Sequence, residues 1–511
     1  MLRSVLTCVA TLALTTPAAL AADAKAPAPR FLVVFHNLNS FTDAADREMA
    51  VEAYKGFEAV AKRNGITIEP YFTGLSFEMY LRKAPHLLNQ LKSSGRDFHH
   101  HGANRPPRPN PMDLVRGKSW AEAVQAIEEY EQYALDPVSG KLDMSRPGGL
   151  KAINAWFGRP ALCTGRYGNA PILAAVKTRY GIKMAVGTND VFLLPASWFW
   201  YMGTLNRPSD VFVHPNFDFI DWARVEFARK QGRDPSTVKR NRPEGPWNVY
   251  EKVEPRLAKL DPELPAFLVV GFHNNDLFGG GNLTEMGQTG ARMDSEFRGF
   301  FLEKMDEFLQ WIVRKKGFRP VTLRQVYEMA RANFVTPAPS DAKSFASQVV
   351  ESAEKGKTLP LFVNSSRGGH SLVEAWQLLA AVLAEREPKF PDVFGPTVLQ
   401  PPGAEPVRAS AQQVRAAVHA LLPADAMPAR LEVAGKQVNA AEFLYLMARI
   451  VAGASETELA PLSMLPPVQA RDPRNRDTLS LLQMWTYKPA YFGKLGGKPQ
   501  TVVGESQYNP R

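Results

Sequence analysis

Apolar positions recur along this chain in two rhythms. Arg30-Phe31-Leu32-Val33-Val34-Phe35 is a continuous apolar run, the pattern of a strand covered on both faces, and it ends at the polar pair His36-Asn37. From Asp43 to about Asn64 the apolar residues Ala50, Tyr54, Phe57 and Val60 repeat at three- and four-residue spacing. That spacing predicts a helix, closed by Gly65. Ile66 to Phe72 predicts a second strand and Phe77 to Ser94 a second helix closed by Gly95, after which Phe98 leads into His99-His100-His101. The pattern returns with a helix over Ala170 to Tyr180, a short strand from Lys183 to Gly187 that runs on to Asp190, and an apolar strand from Phe267 to Phe272 ending at His273. Alternating strands and helices predict an α/β fold with a parallel sheet or barrel and helices outside.

Past about residue 335 the rhythm changes. A Pro-containing stretch around 336–342 reads as a linker, and a repeat follows. Pro360, Ser371, Glu374 and Leu378-Leu379-Ala380 are matched by Pro428, Asn439, Glu442 and Leu446-Met447-Ala448, each at an offset of 68 residues. Ser371 and Asn439 are natural N-caps, with Glu374 and Glu442 three residues on, as in a capping box. Each unit therefore predicts a short strand, a Gly-containing turn and a capped helix. The units are drawn at 343–390 and 405–455, and 456–511 is set apart as a C-terminal tail.

Composition changes this picture in three ways. Arg3, the apolar Val5 to Leu14 and the small residues of Ala19-Leu20-Ala21 predict a signal peptide over 1–21, followed by an Ala/Pro spacer over 22–29. The expected product is periplasmic or secreted, with no transmembrane segment after cleavage. Removal of Cys8 leaves Cys163 alone, so no internal disulfide is expected, and Cys163 reads as a packed strand end. The net charge of +10 is spread along the chain. It suits an acidic surface polymer as well as nucleic acid, and export argues against nucleic acid.

In parallel α/β folds the polar residues just past the strand ends are the default site. His36, His99 to His101, Asp190 and His273 all stand there, a high share for a chain with nine histidines.

From Phe31 to about Tyr327 the chain resembles the NodB-homology polysaccharide deacetylases, carbohydrate esterase family 4. The resemblance is carried by Tyr54 to Gly95, by Ser94-Gly95-Arg96-Asp97-Phe98-His99-His100-His101, by Gly165-Arg166-Tyr167-Gly168 before a helix, and by Leu268 to His273. It implies a distorted (β/α) barrel over 30–335 in which a divalent metal activates water against an acetyl group. Residues 409–453 resemble the pseudomurein-binding repeat, a wall-glycan module, through Pro428 to Val433 and Ala441 to Ala448. Residues 343–388 look like a more divergent copy. The implied partner is a cell-wall or envelope polysaccharide.

The deacetylase pattern is not intact. His36 and Asn37 stand where that family has two aspartates, and no histidine follows four residues after His99, His100 or His101. A rearranged zinc site is one expectation, built on His36 with His100 or His101 and a carboxylate such as Asp43, Asp46 or Asp190. His273 is the candidate proton donor, Asp190 the candidate base, and Arg166 a third catalytic candidate. Tyr167, Trp198, Trp200 and Asn104 are candidate substrate contacts, the tryptophans because sugar rings stack on indoles. Trp198 and Trp200 also read as packing beneath a loop. Two functions follow: an exported metal-assisted deacetylase tethered by its repeats, or a glycan-binding protein on a barrel that has lost its chemistry.

Overall fold

The computed structural model describes residues 29–38, 44–102, 110–136, 139–165, 169–186, 198–206, 212–213, 215–237, 245–258, 265–273, 295–390, 394–403, 405–421, 427–459, 461–466 and 477–492. Its main sheet is built, in chain order, from β1 (Arg30–Leu38), β2 (Glu69–Phe72), β3 (His99–His101), β4 (Cys163–Gly165), β5 (Met184–Val186), β6 (Phe199–Tyr201), β7 (Thr204–Asn206), β8 (Phe212–Val213), β9 (Ala266–His273), β10 (Phe318–Pro320) and β11 (Lys488–Pro489). Side by side they run β8-β9-β1-β2-β3-β4-β5-β7-β6-β11, with β10 also on β1. Nine are mutually parallel; β6 and β11 are antiparallel to their neighbours. The long apolar run of β1 fits its place: it pairs with β9 along one edge, and with β10 and then β2 along the other.

The sheet is a curled half-barrel. Six strands separate β9 from β6, which would put them about 30 Å apart in a flat sheet. Yet the rings of Trp198, next to β6, and Phe267 of β9 lie 5.7 Å apart. The inward face carries Phe31, Val33, Phe35, Tyr71, Cys163 and Met184, and the helix Leu323–Ala332 packs Leu323, Val326 and Ala330 into the same cluster. The outward face of β1 packs Leu32 and Val34 with Tyr54 and Phe57 of the helix Ala44–Arg63. The strand-and-helix pattern expected from the sequence is thus present, with one revision. The helix expected over Phe77 to Ser94 is two helices, Gly74–Lys83 and Pro85–Ser93, broken where Pro85 forbids an α conformation at Ala84.

In the C-terminal part the two capping boxes form as the spacing requires. Ser371 opens the helix Leu372–Leu383 and Asn439 the helix Ala440–Val451, each exchanging hydrogen bonds with the glutamate three residues on. Each helix is preceded by a β-hairpin, Val363–Ser365 with Gly368–His370 and Arg430–Val433 with Lys436–Asn439. Both units share a single apolar core. The segment set apart as a tail requires correction. Within 456–511, the strand Glu456–Leu459 pairs with Val407–Ser410. The helix Thr478–Leu482 and β11 then return to the half-barrel. There Met484 and Tyr487 enter the barrel core, while Trp485 enters the core of the C-terminal part. Lys488 of β11 is buried against Glu374 at 2.7 Å, so this returning segment fastens the two parts together.

Candidate functional site

The C-terminal ends of β3 and β4 carry the polar cluster with the best-defined geometry. Antiphase side chains on a strand point to opposite faces, so the three histidines of β3 separate. His99 and His101 turn inward with Tyr71, whose ring lies 4.6 Å from that of His99 and, with that of His101, borders Gly165. His99 Nε2 lies 3.5 Å from Glu69 Oε1, while Glu69 Oε2 accepts from the Leu323 N–H that opens an inward-packed helix. His100 turns outward. Its Nδ1 is 3.0 Å from Thr164 Oγ1 on β4, and its Nε2 is 3.2 Å from Glu131 Oε2.

Glu131 is held by close backbone approach. Its carboxylate also accepts from Leu150 N at 3.0 Å, in the first turn of the helix Gly149–Phe157. That places a negative group at the positive end of the helix dipole. The approach demands glycine: Gly149 has φ +51°, and a Cβ there would meet Glu131 Cα at 2.7 Å. Gly74 packs equally tightly, since a Cβ on it would lie 2.7 Å from Gly149 Cα. An ionised carboxylate only accepts, which assigns the Nε2 proton to His100 and leaves Nδ1 to accept from the Thr164 hydroxyl. The chain carboxylate–imidazole–hydroxyl can hold and pass a proton. His100, His101, Glu131 and Tyr133 line a cavity of about 10 Å³, the room of one water molecule.

His36 is not part of this cluster. It is fully buried between Tyr54 and Phe57, with ring centroids 5.3 and 5.2 Å away, and neither ring nitrogen has a hydrogen-bond partner among the described residues. Burial lowers its pKa from 6.5 to about 3. Register aligns His36 with Pro70 and Phe72 with His100, which sets the two histidines about 10 Å apart across the sheet and about 7 Å along it.

His36 therefore converges with neither His100 nor His101, and the carboxylates expected beside them, Asp43, Asp46 and Asp190, have side chains outside the described residues. His100 and His101 occupy opposite faces, His36 lies in an aromatic pocket, and His100 is engaged at both nitrogens. Among the described residues no group of three or more His, Cys, Asp or Glu is placed to hold an ion. The sugar-stacking expectation for Trp198 and Trp200 is also corrected. They are 1% and 4% exposed, in the inward cluster, where Trp200 packs edge-on to Phe334. Arg166, Tyr167, Asp190 and Asn104 lie outside the described residues. The backbone of His273 ends β9 opposite Asn37, and its side chain lies outside them too. Cys163 is buried, 3.4 Å from the Tyr71 hydroxyl.

Sequence reasoning missed Glu131 and Thr164. Thr164 stands at a strand end, so the rule that selected the histidines could have reached it. Nothing local marks Glu131, because its partners lie 31 and 19 residues away in sequence.

No protein-family model matches the chain, and no curated protein matches it in sequence. The resemblances to polysaccharide deacetylases and to pseudomurein-binding repeats thus rest on the residues quoted for them. Among solved structures, the 4-alpha-glucanotransferase from Thermococcus litoralis is similar at a TM-score of 0.32 and 14% identity, over 64% of this chain and 45% of that one. The chain thus matches less than half of that enzyme's length, and no residue role is carried over from it.

Proposed function

We propose that this chain is an exported glycan-active hydrolase that removes acetyl groups from a cell-wall or envelope polysaccharide, working at the C-terminal ends of β3 and β4. The observation that carries this reading is the Glu131–His100–Thr164 chain beside a water-sized cavity at a parallel-strand end. In this reading Glu131 fixes the imidazole. As water adds to the acyl carbon its proton passes through the Thr164 hydroxyl to His100 Nδ1. His100 then returns a proton by the same route to the sugar nitrogen or oxygen, as the bond from that atom to the acyl carbon breaks and acetate leaves. Thr164 and His100 are buried and the cavity has room for one water, so in this reading it holds the attacking water while the acyl group stays outside it. No step is routed through a metal, because the expected histidine set does not converge.

The test is acetate release, followed by proton NMR, from N-acetylated and O-acetylated envelope glycans. The reading expects acetate from at least one of them and its loss in His100→Ala. One observation favours a second reading, a non-catalytic glycan binder: His36, Trp198 and Trp200 serve packing rather than an open site. Retention on the glycan with no acetate released from either class would favour it.

A further inference from the structure

Resting on the reading that the substrate is a glycan, we propose that a second, acidic groove beside the cavity binds amine-bearing, deacetylated amino sugars of the same polymer. The helix Trp120–Tyr130 turns one stripe to solvent, with Trp120, Gln125, Glu128 and Glu129 following helical spacing and Gln132 and Tyr133 continuing past its end. Together they line an open groove of about 690 Å³. Tyr133 lines this groove and also the cavity at His100 and Glu131, so one side chain borders both.

Three features select the ligand. Trp120 and Tyr133 supply flat apolar faces of the kind that carry a sugar ring, and Phe394 packs against Trp120 with ring centroids 5.8 Å apart. The amides are held in place for hydroxyl recognition: Gln125 Nε2 donates to Glu129 Oε1 and Gln132 Nε2 to Tyr133 Oη, each at 3.0 Å. The charge is the deciding feature. The protein as a whole carries +10, yet the described residues lining this groove include two glutamates and neither lysine nor arginine. A carboxylate pair beside indole and phenol rings suits an ammonium group, through ion pairing and cation–π attraction. An N-acetyl group satisfies neither. A groove of this kind next to a deacetylating cavity holds the polymer by the sugars already converted and keeps the neighbouring acetylated unit at the cavity.

The experiment is calorimetric titration of the purified protein with a glucosamine hexamer and with an N-acetylglucosamine hexamer, alongside Trp120→Ala and the double variant Glu128→Gln/Glu129→Gln. The wild type is expected to bind the amine hexamer about tenfold more tightly than the acetylated one. The double variant should bind both equally, and Trp120→Ala should weaken both about tenfold. The double variant changes only solvent-lining side chains, so a failure of Trp120→Ala to fold leaves the test intact. Equal binding of the two hexamers by the wild type, or unchanged preference in the double variant, overturns the proposal. Hexalysine competing as well as the amine hexamer does so too, since the groove is then a general cation site. Acetate release on the same samples separates the two claims. Release with no amine preference refutes the groove alone, whereas no release and no binding of either hexamer refutes the glycan reading with it.

Discussion

His36 on β1 and His100 on β3 are both buried histidines at the ends of parallel strands, and the fold treats them in opposite ways. His36 is enclosed by Tyr54 and Phe57 without a hydrogen bond among the described residues, and its pKa falls to about 3. His100 has a carboxylate on one nitrogen and a hydroxyl on the other. Strand-end placement alone therefore does not decide whether a buried histidine gains polar partners. What separates the two is the second layer: an aromatic helix face behind His36, and a glycine-lined turn that delivers Glu131 behind His100.

The largest expected effect breaks the His100 side. Glu131→Ala removes the acceptor of both His100 Nε2–H and Leu150 N–H, leaving two buried donors unpaired. It should cost about 3 kcal/mol, read as a lowered urea midpoint at pH 7. Next is the His36 side, which is a matter of pH. A folded-state value below the unfolded one means that the unfolded chain binds more protons, so stability is full above pH 6.5 and declines as pH falls toward about 3. The decline is about 1.4 kcal/mol per pH unit from this group. His36→Leu should flatten that part of the profile, gaining about 2 kcal/mol relative to wild type at pH 5 in urea titrations. His370, also lowered to about 3 by burial, leaves a residual slope. An unchanged profile in His36→Leu would mean that His36 finds a proton acceptor. The smallest effect is Thr164→Val, which keeps the shape and removes one hydroxyl from His100 Nδ1. About 1 kcal/mol in the same titration is expected.

The same contrast explains how much was legible in the sequence. Signals that act over three or four residues came through. Ser371 with Glu374 and Asn439 with Glu442 cap their helices as their spacing implies, and the apolar run of β1 is a doubly covered strand. Signals that depend on partners far along the chain did not. Glu131 meets His100 across 31 residues, and Glu69 meets Leu323 across 254. His100 and His101 read alike as strand-end histidines, although adjacency in a strand puts them on opposite faces. Trp198 and Trp200 read both as a sugar platform and as packing, and curling of the sheet carries them inside. Residues 477–492 looked like a tail because their partners, β6 and Glu374, lie more than a hundred residues earlier.

The most direct test of the account is the kinetics of acetate release by Glu131→Gln, which keeps the size of the side chain that orients His100. If the Glu131–His100–Thr164 chain moves the proton, kcat should fall about a hundredfold while KM stays within about twofold of wild type. A Glu131→Gln protein that releases acetate at the wild-type rate would contradict it and move the chemistry away from β3 and β4.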